Sequence, residues 1–352
     1  DLAPRPRQGR RKRSLPPRRS HVILRDMSAL VKFWGVRGSI PSAPQPTQWV
    51  KDFEELMRGF FRAGFHKPEQ ISEYLGGLSV PEVGGFGTAT TCVEVTTPNA
   101  SIILDGGSGI RNYSEATLRA RDRKEYHILM THFHWDHLIG LPFFAPHFIP
   151  GFKVNYYAVQ DDLEHMIRGK FKKPYFPVPF EALGADIQFH RLEPRKTFKI
   201  GDLDITPYEL DHPDPCWGFR VETHGKVYSH CVDTEATRTT RESLGPDLPL
   251  YQNVDVMYFD AQYTLPELAE KANWGHGAAQ LGLDIAFREN IRHMIFAHHD
   301  PGATTQQLFE LKTQTREYYE WRLKTAETNR LRLPEVKWRY AHEGLEIDLT
   351  KV

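Results

Sequence analysis

The run Thr131-His132-Phe133-His134-Trp135-Asp136-His137 constrains this chain more than any other stretch. It follows Tyr126-His127-Ile128-Leu129-Met130, a short apolar run that reads as a buried strand, and precedes Leu138-Ile139-Gly140-Leu141-Pro142, which reads as the start of a helix. Three imidazoles and a carboxylate on the loop leaving a buried strand put four donors on one small patch. Histidine is the commonest ligand of divalent transition metals, and a carboxylate adds charge neutralisation. A lone histidine on a loop is more often a hydrogen-bonded polar residue than a ligand. The pattern H-x-H-x-D-H after a strand is read here as a metal site.

Two divalent ions about 3.5–4 Å apart, sharing one oxygen, need about six or seven protein donors, more than this motif supplies. The remaining candidates stand at the ends of other strand-like runs. Leu203–Leu210 delivers Asp211-His212-Pro213, and the second arm of a hairpin around His224-Gly225 ends in Cys231-Val232-Asp233-Thr234. His293–Ala297 leads to His298-His299, which compete for one role; strand alternation favours His298 at the sheet edge, with His299 facing the substrate or supporting the ligands. Asp105, closing Ser101–Leu104 ahead of a glycine-rich turn, reads either as a carboxylate orienting a ligand histidine or as an ordinary Asp-Gly turn. His276, in Trp274-Gly275-His276-Gly277, stands where a helix to about Asn290 should open, as a site residue or as a cap.

The central motif resembles the signature of the metallo-β-lactamase-fold hydrolases, and Gly140-Leu141-Pro142 is similar to the ribonuclease Z and cyclic-phosphate phosphodiesterase branch. Phe33-Trp34-Gly35-Val36-Arg37-Gly38-Ser39-Ile40-Pro41 is similar to the opening of the phosphodiesterase-like members. Ala89 stands where relatives tend to carry Asn. The resemblance implies an α/β fold, an αβ/βα four-layer sandwich. It implies that His132, His134 and His212 hold one metal, that Asp136, His137 and His298 hold a second, and that Asp233 bridges them. Zinc is the default ion, with manganese or iron also suited to mixed nitrogen and oxygen ligation. Catalytic roles fall to Asp136, Asp233 and His276, the last as acid or clamp at the leaving oxygen. Asp105, His299 and Arg37 are supporting or substrate-facing candidates. The implied activity is hydrolysis of small cyclic phosphates, cyclic nucleotides or related phosphodiesters through metal-bound hydroxide. The alternatives are a lactonase, thioesterase or β-lactamase-like hydrolase, or a metal sensor without catalysis.

Charge argues for a small substrate. Lys plus Arg and Asp plus Glu are each 45, whereas a binder working by bulk electrostatics on nucleic acid is clearly basic, so RNA is the less favoured partner. Three scattered cysteines make neither a disulfide framework nor a zinc finger, and no apolar run approaches the 18 or so residues of a membrane span. A cytoplasmic location is expected. Residues 1–26, with nine Lys/Arg and four Pro, read as a solvated basic leader ahead of a start at Met27, with one hydrolase domain over 27–352. An insertion at about 42–86 carries Trp49, Phe53, Met57, Phe60 and Phe61 at helical spacing; it reads as a helix packed on the core, or else as a lid or homodimer contact. Glu335–Ala341 and Leu345–Leu349 read as a closing hairpin.

Overall fold

The computed structural model describes residues 28–352; the basic leader and the start at Met27 lie outside the described residues. The first sheet collects β1 (Leu30–Gly35), β2 (Cys92–Thr96), β3 (Ser101–Leu104), β4 (Glu125–Leu129), β5 (Lys153–Ala158) and β6 (Asp186–Arg191). The second collects β7 (Phe198–Ile200), β8 (Leu203–Glu209), β9 (Trp217–Thr223), β10 (Lys226–Cys231), β11 (Val256–Asp260), β12 (His293–Ala297) and β13 (Lys337–Tyr340), after which β14 (Glu346–Asp348) returns to the edge of the first. The spatial orders are β14-β1-β2-β3-β4-β5-β6 and β13-β12-β11-β10-β9-β8-β7. In these orders the first sheet runs through three antiparallel pairings and then three parallel ones, and the second through three parallel and then three antiparallel.

Alternation along the strands explains the layers. In β11, Val256 and Tyr258 face the other sheet, while Met257 and Phe259 face outward under the helices Ala279–Glu289 and Thr305–Thr328. In the first sheet Leu104 and Leu129 point inward, and Ile103, Tyr126 and Ile128 pack with Ile110 and Tyr113 of the helix Ile110–Ala120. Helices, two sheets and helices make the expected four-layer αβ/βα sandwich.

Of three local expectations, one holds and two change. The hairpin around His224-Gly225 forms, with left-handed φ at both residues (49° and 72°), as a two-residue turn between twisted strands requires. The closing hairpin does not form: β13 runs parallel to β12 in the second sheet, and β14 runs antiparallel to β1 in the first. Residues 341–345 step between the sheets, Ala341 N–H donating to Phe296 O and Leu345 O accepting from Phe33 N–H. The inserted helix Pro46–Arg62 buries Phe60 against Phe65 and Tyr74, but Trp49, Phe53, Met57 and Phe61 remain more than half exposed. Its apolar stripe is therefore not packed on the core among the described residues.

Candidate metal centre

The donors emerge where strands stop. Asp105 follows β3, His132 comes three residues after β4, His212 three after β8, Asp233 two after β10, and His298 directly follows β12. Asp105, Asp233 and His298 all adopt left-handed φ (64°, 48° and 59°), which costs a non-glycine residue roughly 1–2 kcal/mol. The strand ends thereby bring donor side chains together in one cluster.

Three groups of donor atoms result among the described residues, each lying within 4.8 Å of one another: His132, His134, His212 and Asp233 in one, Asp136, His137, Asp233 and His298 in the second, and Asp233, Asp260, His276 and His298 in the third. Asp233 belongs to all three. His298 Nε2 lies 3.0 Å from Asp233 Oδ1 and 3.1 Å from Asp136 Oδ2, and His132 Nε2 lies 3.4 Å from Asp233 Oδ2. His132 Nε2, His137 Nε2, His212 Nε2 and both Asp233 oxygens are buried without a hydrogen-bond partner. Orphaned lone pairs of this kind cost free energy unless something electropositive sits among them. The donor set of the first two groups, five imidazoles and two carboxylates, fits a pair of divalent cations.

The far nitrogens of four of the five rings are anchored, while His298 Nδ1 is buried without a hydrogen-bond partner. Asp105 Oδ2 accepts from His137 Nδ1 at 2.9 Å, and Asp105 is itself held by the Thr131 N–H (2.9 Å) and hydroxyl. Asp214 Oδ2 lies 2.8 Å from His134 Nε2, while the carbonyl of Asp214 lies 2.8 Å from His212 Nδ1. Thr131 Oγ1 lies 3.1 Å from His132 Nδ1. Each contact fixes ring orientation and turns the opposite nitrogen inward. Gly275 is shaped by the same packing: at φ 89° it lies against the His212 ring, where a Cβ would come 2.3 Å from Cδ2.

The field in the cleft favours positive charge. Burial alone would raise the Asp233 carboxyl, but His298, His137 and His132 drive it well below the usual range. Burial would lower His298, yet Asp233 and Asp136 push it up to about 10. Burial, helped by His137, brings His132 down to about 4 and keeps it in the neutral form that ligates.

His276 lies at the edge of this group. The helix starts at Ala279 with Ala278 at its N-cap, so His276 belongs to the preceding loop and does not cap it. Its Nδ1 donates to Asp260 Oδ2 at 2.9 Å and lies 4.0 Å from Asp233 Oδ2; its ring packs on His298, and its side chain is a tenth exposed. Asp136 Oδ2 also accepts from Ser39 N–H at 2.8 Å.

Two candidates are placed elsewhere. His299 is fully buried between Phe86 and Tyr340 with Nε2 on Ala341 O, because the alternation that brings His298 to the cleft turns its neighbour into the outer layer. It does not face a substrate. Arg37 is 5% exposed, and its guanidinium is spent on the carbonyls of Gly87, Asp300 and Ala303, where it ties loops together. Two supporting carboxylates, Asp214 and Asp260, escape the sequence reading. Asp260 ends the apolar run of β11, the same position that marked the other donors; Asp214, in an irregular Asp-Pro segment, carries no such signal.

Comparison with known proteins agrees with this geometry. Residues 101–299 match a family model described as a beta-lactamase superfamily domain. A ribonuclease Z of Ligilactobacillus salivarius (strain UCC118) is 28% identical over 149 residues, 41% of this chain and 44% of the relative, so the match spans less than half the relative's length. Among solved structures, the metallo-beta-lactamase fold protein YhfI from Bacillus subtilis superposes with a TM-score of 0.60 at 13% identity, covering 92% of this chain and all (100%) of that one. A diphosphatase from the PhnP family superposes with a TM-score of 0.54 at 17% identity, covering 91% and 97%. At such identities the structural likeness establishes the fold.

Proposed function

Because the chain belongs to the beta-lactamase superfamily, we propose that it is a dinuclear metal-dependent hydrolase acting on phosphodiesters. His132, His134 and His212 would hold one cation and Asp136, His137 and His298 the other, with Asp233 placed to serve both. When bound, such a pair supplies Lewis acidity and lowers the pKa of coordinated water toward neutrality. Zinc is the favoured ion for this histidine-rich set, with manganese and iron as the ions to test beside it.

The chain's own residues do the rest. Asp105, Asp214 and Thr131 hold the imidazoles in the tautomers that leave the inward nitrogens free. Asp260 holds the Nδ1 proton of His276, leaving Nε2 to carry a proton to the departing alkoxide. The single observation that carries the phosphodiester reading is this histidine, oriented by the Asp260 carboxylate and set beside Asp233, since a positioned proton donor suits the alkoxide that leaves a phosphodiester. The ribonuclease Z and diphosphatase names among the similar proteins support phosphorus–oxygen chemistry. The even charge balance supports small cyclic phosphates or cyclic nucleotides over RNA.

The test is a screen of protein reconstituted with zinc, manganese or iron, using bis-p-nitrophenyl phosphate, cyclic nucleotides, a precursor tRNA, a lactone and a thioester, in wild type and His276→Ala. Phosphodiesterase turnover lost in the variant is expected. Hydrolysis of only the carboxyl-derived substrates, indifferent to His276, overturns the reading.

A further inference from the structure

Trp135 stands between His134 and Asp136 at the first position of the one-turn helix Trp135–Leu138, and it is 66% exposed. An indole in water beside a polar cleft loses the burial that normally stabilises it. No aromatic ring among the described residues packs against it. Lys170 places its Nζ over the indole, 4.0 Å from the ring centre.

Lys170 caps the helix Leu163–Gly169 and opens the run Lys170-Phe171-Lys172-Lys173-Pro174-Tyr175-Phe176. Phe171 is buried and anchors the run; Phe176 packs edge-on against Phe171 and Phe143. Tyr175 is 84% exposed, so the run shows solvent cations and an aromatic surface together. The indole is positioned from below by a rigid element, because His134 and Asp136 on either side of it are both held by hydrogen bonds. A flat, exposed ring with a cation fixed on one face, next to a centre built for an anion, is the arrangement that stacks a planar base while its phosphate is neutralised.

Resting on the phosphodiesterase reading, we propose that Trp135 and Lys170 form a stacking platform that selects phosphodiesters bearing a nucleobase over those without one. Trp135 touches the base and does no chemistry; Lys170 stabilises the stack and the phosphate charge. The neighbouring motif thus sets both the cations and the substrate class from one turn of chain.

The experiment compares equilibrium binding of adenosine 5′-monophosphate and ribose 5-phosphate to metal-loaded wild type, Trp135→Ala, Trp135→Phe and Lys170→Ala. Calorimetry gives the affinities, and circular dichroism confirms that each variant folds. The preference for the nucleotide over the sugar phosphate should fall on the order of 10-fold in Trp135→Ala, with part of it restored in Trp135→Phe. An unchanged preference in Trp135→Ala, or none in wild type, overturns the platform. Binding is read without turnover, so failure of the phosphodiesterase reading shows separately, as a wild type that discriminates between the ligands yet hydrolyses no phosphodiester in the screen.

Discussion

Asp214 Oδ2 lies 2.8 Å from His134 Nε2, and the carbonyl of the same residue takes the Nδ1 side of His212, so one loop residue orients two imidazoles of one donor group. Asp214→Ala should therefore weaken metal binding about 10–100-fold, read by competition with a chromophoric chelator. Because the carboxylate is largely exposed, unfolding stability should move within about 0.5 kcal/mol. Unaltered metal affinity would mean that the pair is an incidental surface contact.

Asp233 is shared by all three donor groups and has both oxygens orphaned. Asp233→Ala should reduce metal content below two ions per chain by elemental analysis and abolish turnover. An intact pair of bound ions in this variant would remove the shared carboxylate from the scheme.

His276 is separable from metal holding. His276→Ala should lower kcat on a phosphodiester by about 10²–10⁴-fold while the metal content stays at the wild-type value. Asp260→Asn, which alters the proton-holding partner of Nδ1, should fall between wild type and His276→Ala. The loss should shrink for substrates whose leaving group departs without a proton, such as p-nitrophenolate esters.

Gly275→Ala should damage the site without touching a donor. Its φ of 89° disfavours any side chain, and the new Cβ would meet the His212 ring 2.3 Å away. Backbone and ring must both shift, so metal affinity should drop at least as far as in Asp214→Ala. A wild-type chelator titration would show that the loop yields freely.

His147 gives a pH dependence away from the metal centre. Fully buried, it pairs Nδ1 with Leu141 O at 3.0 Å and Nε2 with the Tyr156 hydroxyl at 2.7 Å, and burial pushes it down to about 3. The unfolded chain takes up that proton near pH 6.5, as an ordinary histidine does, so between pH 6.5 and about 3 the unfolded state binds more protons. Stability from this residue is present above pH 6.5 and is lost as pH falls, by up to about 1.4 kcal/mol per pH unit. Urea unfolding of His147→Gln from pH 7 to 4.5 should show a shallower fall than wild type; parallel curves would exclude the contribution.

Strand ends were legible because chemistry and periodicity coincide there. Apolar runs of four to eight residues closing on His, Asp or Asp-Gly marked β3, β4, β10 and β12, and the structure brings their terminal residues together. The choice between His298 and His299 followed from alternation alone. What the sequence hid was non-local. Asp214 is defined by the ring it faces across 80 positions, and Arg37 by carbonyls more than 260 positions away at Asp300 and Ala303. Whether β13 and β14 pair with each other or with partners in opposite sheets depends on which edges are open, and two adjacent strand-like runs look identical in both cases.

The step at 341–345 makes the last dozen residues a seam. Cutting the chain after Ala341 would strip β14 from Leu30, Val31 and Lys32 and leave β1 with a bare row of backbone donors and acceptors. An uncovered border of that sort recruits other chains, so the truncated protein should fail first by self-association into insoluble material, before its chemistry is lost.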